Sequence, residues 1–313
     1  MNILLLGGFG FIGTNLLKYA ESLDPAYRMI VFDRFPNHLD NIHFERVDKI
    51  YAGDFSDEYL LERIFAENHI DIVLHSLSAS VPSSSVDNIF DLKFNVIPTI
   101  TLLNVMKKHN VFNIVFISSG GAVYGDNTVN GDGHSEEDVL FPKSAYGVSK
   151  LAIEKYLYLY HTLYDFKVLI TRLSNPYGPY HYSQKQGVVN IALEKALKGE
   201  KLEIWGDGNG KKDYIYITDF CKILFSLIKN GVYQYEVLNV GSGTLLSVNE
   251  IAESIKKTIV RGFEWEYKQV NNLDVKSFKL NLNKLLLMIG DFTFTNFEDG
   301  LALTREWYHT KQL

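Results

Sequence analysis

The chain has 313 residues, 46% of them hydrophobic and 22% charged, enough for one large domain or two smaller ones with a sizeable core. The formal net charge is -6 and no Lys/Arg block stands out, which argues against nucleic acid and anionic membrane as partners. A single cysteine, Cys221, excludes an intrachain disulfide and suits a reducing compartment; no apolar run approaches membrane-spanning length, and the opening MNILLLGG carries no basic leader, so a cytoplasmic protein is expected.

In chain order, NILLLG (2–7) reads as a buried first strand. RMIVFD (28–33), RVDKIYAGD (46–54), IDIVLH (70–75), NIVFISS (113–119) and KVLITRL (167–173) read as further strands. Their nearly continuous apolar runs suit strands covered on both faces. Helical patterns lie between them: 56–68 with Ser56 as N-cap, 95–110, and 145–164. Alternating β and α predicts a Rossmann-type, doubly wound parallel sheet with right-handed crossovers. After about residue 174 the texture changes to a Pro/Gly/polar loop (174–187), a short helix stopped by Gly199, and two strands around a turn in KLEIWGDGNGKKDYIYI (201–217). Ser247/Glu250 and Thr295/Glu298 read as capping boxes of two late helices. The expected organisation is α/β: a dinucleotide-binding domain over 1–173 that also receives parts of 214–255, and a smaller mixed α/β C-terminal lobe from 174–213 and 256–313.

Two short stretches carry chemistry. GGFGFIG (7–13) follows the first strand and opens a helix, with Gly7, Gly10 and Gly13 three apart. Such glycines permit a tight turn, close approach of backbone to a diphosphate, and close helix–strand packing. The helix N-terminus then offers unpaired N–H groups to phosphate. Asp33 ends the second strand where a carboxylate bonds the ribose hydroxyls of NAD and repels a 2′-phosphate, so NAD is favoured over NADP; the adjacent Arg34 could receive that phosphate instead. SAYGVSK (144–150) places Tyr146 and Lys150 at i and i+4 on one helix face. A nearby ammonium favours the phenolate and makes Tyr146 a candidate base.

Taken with GD (53–54), LHSLSA (74–79), NV (95–96), SSGGAVYG (118–125), RLSNPYGP (172–179) and GDGNGKKDYIYITD (206–219), these stretches run in order over nearly the whole chain. The sequence resembles the extended short-chain dehydrogenases/reductases that act on nucleotide sugars, the NAD-dependent epimerase/dehydratase family, and within it the UDP-hexose 4-epimerases. The resemblance implies tightly bound NAD, a lobe that grips a nucleoside-diphosphate sugar such as a UDP-hexose, and a homodimer through a four-helix bundle that includes the helix of Tyr146. It implies cofactor contacts from Gly7, Gly10, Phe11, Ile12, Gly13, Asp33 and Arg34. Asp54, Phe55, Leu77, Asn95, Ser118, Tyr146 and Lys150 complete that set. Ser119, Tyr146, Asn175, Val188 and Lys212 are implied on the substrate side.

The chain also departs from the family pattern. The epimerases carry a Ser or Thr four residues before the Tyr of VYG and a second hydroxyl two before it; here those places are Gly120 and Ala122, and Ser119 is nominated instead. The 4,6-dehydratases carry an Asp-Glu pair where this chain has Gly121 and Ala122, so no dehydratase activity is expected. Lys212 stands for a diphosphate-binding Arg, keeping the charge but losing the bidentate fork, and no Arg precedes Asp274–Val275. The expected activity is 4-epimerisation of a UDP-hexose, with Tyr146 as base and Lys150 lowering its pKa. The alternatives are reduction of a nucleotide-linked 4-keto-deoxysugar and a non-catalytic dinucleotide-binding relative. His75 reads as structural support, His181 as a loop residue able to contact sugar, and Cys221 as helix core. Tyr156, Tyr158 and Tyr160 cannot all face one way, so some are expected at a dimer surface. No spacing suggests a metal site.

Overall fold

The computed structural model describes residues 1–34, 43–80, 88–125, 131–231, 234–259, 262–269 and 277–310. In the first half, β1 (Asn2–Leu6), β2 (Arg28–Asp33), β3 (Val47–Ala52), β4 (Ile72–His75), β5 (Asn113–Ser119) and β6 (Lys167–Leu173) alternate with helices. These are α1 (Phe11–Ala20), α2 (Glu58–Glu67), α3 (Asn88–Asp91) running through a π-helical turn (Leu92–Val96) into α4 (Ile97–Lys108), α5 (Gly120–Val123) and α6 (Ala145–Tyr164). The second half contains β7 (Asn175–Tyr177), α7 (Val188–Lys198), β8 (Leu202–Trp205), β9 (Lys211–Tyr216), α8 (Ile217–Asn230) and β10 (Tyr235–Val240). β11 (Leu245–Ser247), α9 (Val248–Thr258), β12 (Trp265–Lys268), α10 (Asn283–Ile289) and α11 (Phe297–Thr310) follow.

The large sheet is parallel throughout, in the order β3-β2-β1-β4-β5-β6-β10. β1, β2, β4, β5 and β6 are largely apolar because both faces are covered, whereas β3, at the sheet edge, carries Asp48 and Lys49 and is mostly exposed, against the apolar run expected at 46–54. Leu16 and Leu17 of α1 and Phe220 and Leu224 of α8 cover one face; Leu61, Leu102 and Leu157, from α2, α4 and α6, cover the other. Each such side chain contributes roughly 2 kcal/mol by leaving water. A third core joins α7, α9 and α11 through Leu193, Ile251 and Leu301.

Several local expectations hold, and others are corrected. Gly199 ends α7 at φ 73°, and Ser247/Glu250 form the capping box of α9. Asp57, not Ser56, caps α2, because the Ser56 hydroxyl is turned to Asp54. Thr295 is no cap either: its N–H and hydroxyl both bond Asp219, and Asn296 receives the Asp299 N–H at the start of α11. The strands within 201–217 do not pair with each other; β8 pairs with β12, and β9 lies between β7 and β11. The continuous helix Ile89–Lys108 has 20 residues and a mean hydropathy of 1.3, so one segment does reach membrane-spanning length, yet half of it is buried inside the fold. Tyr160 packs inward and bonds Asn104, whereas Tyr156 and Tyr158 are exposed.

Candidate active site

Strand order reverses between β1 and β4, and in such sheets the crevice beyond the strand ends at that point takes the ligand. The glycine turn sits there. Gly7 adopts φ +80°, and a Cβ on it would lie 2.9 Å from the Cα of Leu77, the residue that borders the turn after β4. A Cβ on Gly13 would fall 2.1 Å from the Gly7 carbonyl oxygen, so α1 can touch the turn only with glycine there. Gly10 caps α1 without a side-chain hydrogen bond, which leaves the first-turn N–H groups of Phe11, Ile12 and Gly13 available to an anion. The backbone cradle therefore fits the diphosphate of a dinucleotide.

The rim of the cradle is tied together. Asp33 accepts hydrogen bonds from the N–H groups of Phe9 (2.8 Å) and Arg34 (2.6 Å). Arg34 is ion-paired with Asp54, whose carboxyl is held below its usual range first by hydrogen bonds from Ser56 and then by Arg34. Phe55 is buried beneath, edge-on to His75. Asn95 is committed within the protein: its oxygen receives the Ala79 N–H at 2.8 Å and its amide donates to Asp91 at 2.9 Å, so it holds the 79–80 loop in place.

The Tyr146–Lys150 pair lies at the start of α6. Ser144 caps that helix by accepting the Gly147 N–H. Because Gly147 has no side chain, the first turn rests against α5; a Cβ there would meet the Ala122 carbonyl at 2.5 Å. This contact brings Tyr146 to the end of β5, where the Ser119 hydroxyl hydrogen-bonds the phenol. Part of the Tyr146 ring stays accessible, but its hydroxyl lies among buried groups. Burial pushes the phenol up to about 12, Ser119 pulls it down, and the Asp91 carboxylate pushes it up again. Lys150 is 4% exposed. Its Nζ donates to the Ile117 carbonyl at 3.1 Å and stands 5.7 Å from the Tyr146 ring centroid. Burial moves the ammonium down to about 8, against the opposing pull of Glu154 and Asp91. Ser119 thus bonds the phenol and favours its ionised form.

The departures at Gly120 and Gly121 have a packing reason. A Cβ on Gly120 would lie 3.0 Å from Leu280 and one on Gly121 3.0 Å from the Phe278 ring, so chain from the second half covers the places where relatives carry hydroxyl or acidic side chains. Ser118 is turned away from the crevice and donates to Glu154 at 2.5 Å. Glu154 pairs with Arg172 at 2.8 Å, and Arg172 bonds the Tyr124 hydroxyl at 2.9 Å. Sequence reading missed this buried network, although Tyr146, Lys150 and Glu154 recur every four residues along one face of α6. It also missed Asp91, an acid within an apolar helix whose burial only the packing reveals.

On the substrate side, Asn175 donates to the Asp213 carbonyl at 2.9 Å, Lys212 lies within β9 beside Leu246, and Val188 opens α7 after Gly187. His181 is buried, not a free loop residue. Its ring packs edge-on against Phe11 at 4.8 Å, and a Cβ on Gly187 would meet its Nε2 at 2.4 Å. It thereby joins the first residue of α1 to Gly187, the N-cap of α7; burial holds its pKa down at about 4. The Asp274–Val275 step lies outside the described residues. Among the described residues no cluster of His, Cys, Asp and Glu could hold a metal ion.

Glycine turn, carboxylate-tipped second strand and Tyr–Lys helix together define a dinucleotide-binding α/β protein of the extended short-chain type. A family model described as the NAD dependent epimerase/dehydratase family matches residues 3–241. Among curated proteins, a putative UDP-glucose 4-epimerase of Methanocaldococcus jannaschii is 33% identical over 287 residues, covering 90% of each chain. The dTDP-4-dehydro-6-deoxyglucose reductase of Escherichia coli is 30% identical over 271 residues, covering 84% of each. Among solved structures, the UDP-glucose 4-epimerase of Thermotoga maritima with UDP-glucose superposes at a TM-score of 0.91 with 30% identity over 100% of both chains. That of Thermus thermophilus with NAD gives 0.90 with 27% identity over 99% of both. The chain belongs to the NAD-dependent epimerase/dehydratase family.

Proposed function

We propose that this protein is an NAD-dependent nucleotide-sugar 4-epimerase that inverts C4 of a UDP-hexose through a transient 4-keto sugar. The observation that carries the reading is the Ser119 hydroxyl on the Tyr146 phenol, with Lys150 one helical turn further along the same face. Tyr146 removes the proton from the sugar 4-hydroxyl and returns it after the ring turns over. Ser119 aligns the phenol and favours its ionised form, taking the part of the hydroxyl replaced by Gly120. Lys150 supplies positive charge at the buried end of the site. The glycine turn would hold NAD, which would supply a hydride acceptor and donor for C4 and a positive charge beside the phenol. Asn175, Val188 and Lys212 hold the nucleotide sugar from the lobe.

NAD is preferred over NADP because Asp33 lies beside the glycine turn and Arg34 is engaged by Asp54. Because the two hydride transfers cancel, the cofactor stays bound through turnover. A homodimer is supported by the exposed apolar residues Tyr158, Leu159 and Leu163 of α6 and by Ile89, Leu92 and Ile97 on the neighbouring helix. A cytoplasmic location accords with a lone buried thiol.

Purified protein, with no cofactor added, is offered UDP-glucose, UDP-galactose and their N-acetyl forms, and C4 inversion is followed by NMR. Inversion of at least one sugar is expected. Reduction of an added nucleotide-linked 4-keto-6-deoxyhexose with stoichiometric consumption of free NADPH, and no inversion of the UDP-hexoses, would instead establish the second reading, a reductase of a nucleotide-linked 4-keto-deoxysugar, which the likeness to the Escherichia coli reductase favours.

A further inference from the structure

Four charged side chains around α6 are almost fully buried: Asp91 at 1% exposure, Glu154 at 2%, and Lys150 and Arg172 at 4%. Two of them, Glu154 and Arg172, form a direct pair. Arg172 Nη2 donates to Glu154 Oε2 at 2.8 Å, and its Nε reaches both carboxylate oxygens at 3.3 Å. A buried pair of this kind contributes little net stability, because the lost hydration of both ions offsets their attraction. What it offers over apolar side chains is direction: each member has further donors or acceptors aimed at fixed places.

Those further groups grip one segment at both ends. Glu154 Oε1 accepts the Ser118 hydroxyl at 2.5 Å, and Arg172 Nη1 donates to the Tyr124 hydroxyl at 2.9 Å. The Tyr124 hydroxyl donates onward to Asn239 Oδ1 at 2.7 Å, and the guanidinium lies over the Tyr124 ring. Ser118 and Arg172 are register partners of β5 and β6, so both side chains leave the sheet on the same face, where Glu154 of α6 meets them. Between the two grips lie Ser119, Gly120 and Gly121. Glycine leaves a backbone freer than any other residue, and Ser119, at the N-cap of α5, makes no capping bond with its side chain. The short helix α5 meets α6 where the Ala122 carbonyl lies against Gly147, the residue after Tyr146. Successive side chains of a strand point to opposite faces, so holding Ser118 also sets the roll of the strand at Ser119.

We propose that the Glu154–Arg172 pair is a clamp on residues 118–124 and that Ser118 and Tyr124 are positioning residues, holding Ser119 where its hydroxyl meets the Tyr146 phenol. The proposal rests on the reading of Tyr146 as base with Ser119 as its partner. Ser118 and Tyr124 act through Ser119, without contact to substrate. A pair that only held the fold together would show in stability and leave the bond between Ser119 and Tyr146 as it is.

Ser118→Ala releases one end of the segment and Tyr124→Phe the other, and both leave the Glu154–Arg172 pair in place. Holoenzyme carrying tyrosine isotopically labelled at Cζ is compared by NMR. The Tyr146 resonance is the one missing from Tyr146→Phe, and it reports the bond at the phenol without turnover. In each variant this resonance should move in the direction that Ser119→Ala moves it. In C4 inversion, each variant should lower kcat by roughly three- to tenfold, with KM for the nucleotide sugar and NAD content held within about twofold. In a Ser119→Ala background the same substitutions should change kcat by less than about twofold, because residues that act through a common partner are not additive. Should one variant not fold, the other gives the same readings. An unmoved Tyr146 resonance, wild-type kcat, or losses that multiply with that of Ser119→Ala overturn the proposal. If Ser119→Ala itself leaves the Tyr146 resonance unmoved, the reading of Ser119 as the phenol's partner falls, and the clamp with it. If no sugar is inverted, the epimerase reading falls while the resonance still tests the clamp, so the failures are told apart.

Discussion

Ser119→Ala removes a hydroxyl that bonds the Tyr146 phenol. A hydrogen bond to a charged partner is worth about 1.5–3 kcal/mol, and this one strengthens as the phenol ionises in a buried site. At about 1.4 kcal/mol per decade, its loss should lower kcat roughly ten- to a hundredfold and move the acid limb of the pH–rate profile upward by about one to two units. The KM for the nucleotide sugar should change much less, because the bond matters most when the proton moves. The assay is C4 inversion by NMR from pH 6 to 10. Restoring a serine at the relatives' position, in Ser119→Ala/Gly120→Ser, should not rescue, since a side chain on Gly120 meets Leu280 at 3.0 Å and the Arg172 carbonyl at 3.3 Å. Wild-type kcat in the single variant, or full rescue by the double, would refute the assignment of Ser119.

Other outcomes follow from the same geometry. Gly13→Ala forces a methyl against the Gly7 carbonyl at 2.1 Å, so the purified variant should carry less than about a tenth of the wild-type NAD, measured by extraction and chromatography. Stoichiometric NAD in that variant would contradict the cradle. His181 is held neutral in the folded protein, with its pKa lowered from 6.5 to about 4. The unfolded chain binds this proton first, so stability is full above about pH 6.5 and falls between there and about pH 4, by about 3 kcal/mol from this group. Urea midpoints across that range should decline more steeply in wild type than in His181→Gln; parallel declines would remove His181 as the cause. Asp54→Asn releases Arg34 from an exposed pair worth at most about 1 kcal/mol, so the NADP-to-NAD affinity ratio should rise by no more than about fivefold. A fixed ratio would show that Arg34 plays no part in the choice. If α6 forms the proposed dimer face, wild type should sediment as a dimer and Leu159→Asp, on the exposed apolar face of α6, as a monomer.

Periodicity and local chemistry were sufficient for much of this molecule. A buried strand must be apolar on both faces, and a glycine turn ahead of a helix has few other uses, so the six N-terminal strands, the dinucleotide cradle and the Tyr146–Lys150 face were legible without coordinates. Caps were legible only where no stronger partner competed: Ser247 kept its helix, while Ser56 and Thr295 were drawn off by Asp54 and Asp219. Which strands pair, that Gly120 and Gly121 lie tight against Leu280 and Phe278, and that His181 lies buried against Phe11 depended on segments far apart in sequence meeting in space. The same holds for the four buried charges. Residue type announces a charge, but its cost and its partner are set by the solvent it loses, and burial is a property of the whole fold.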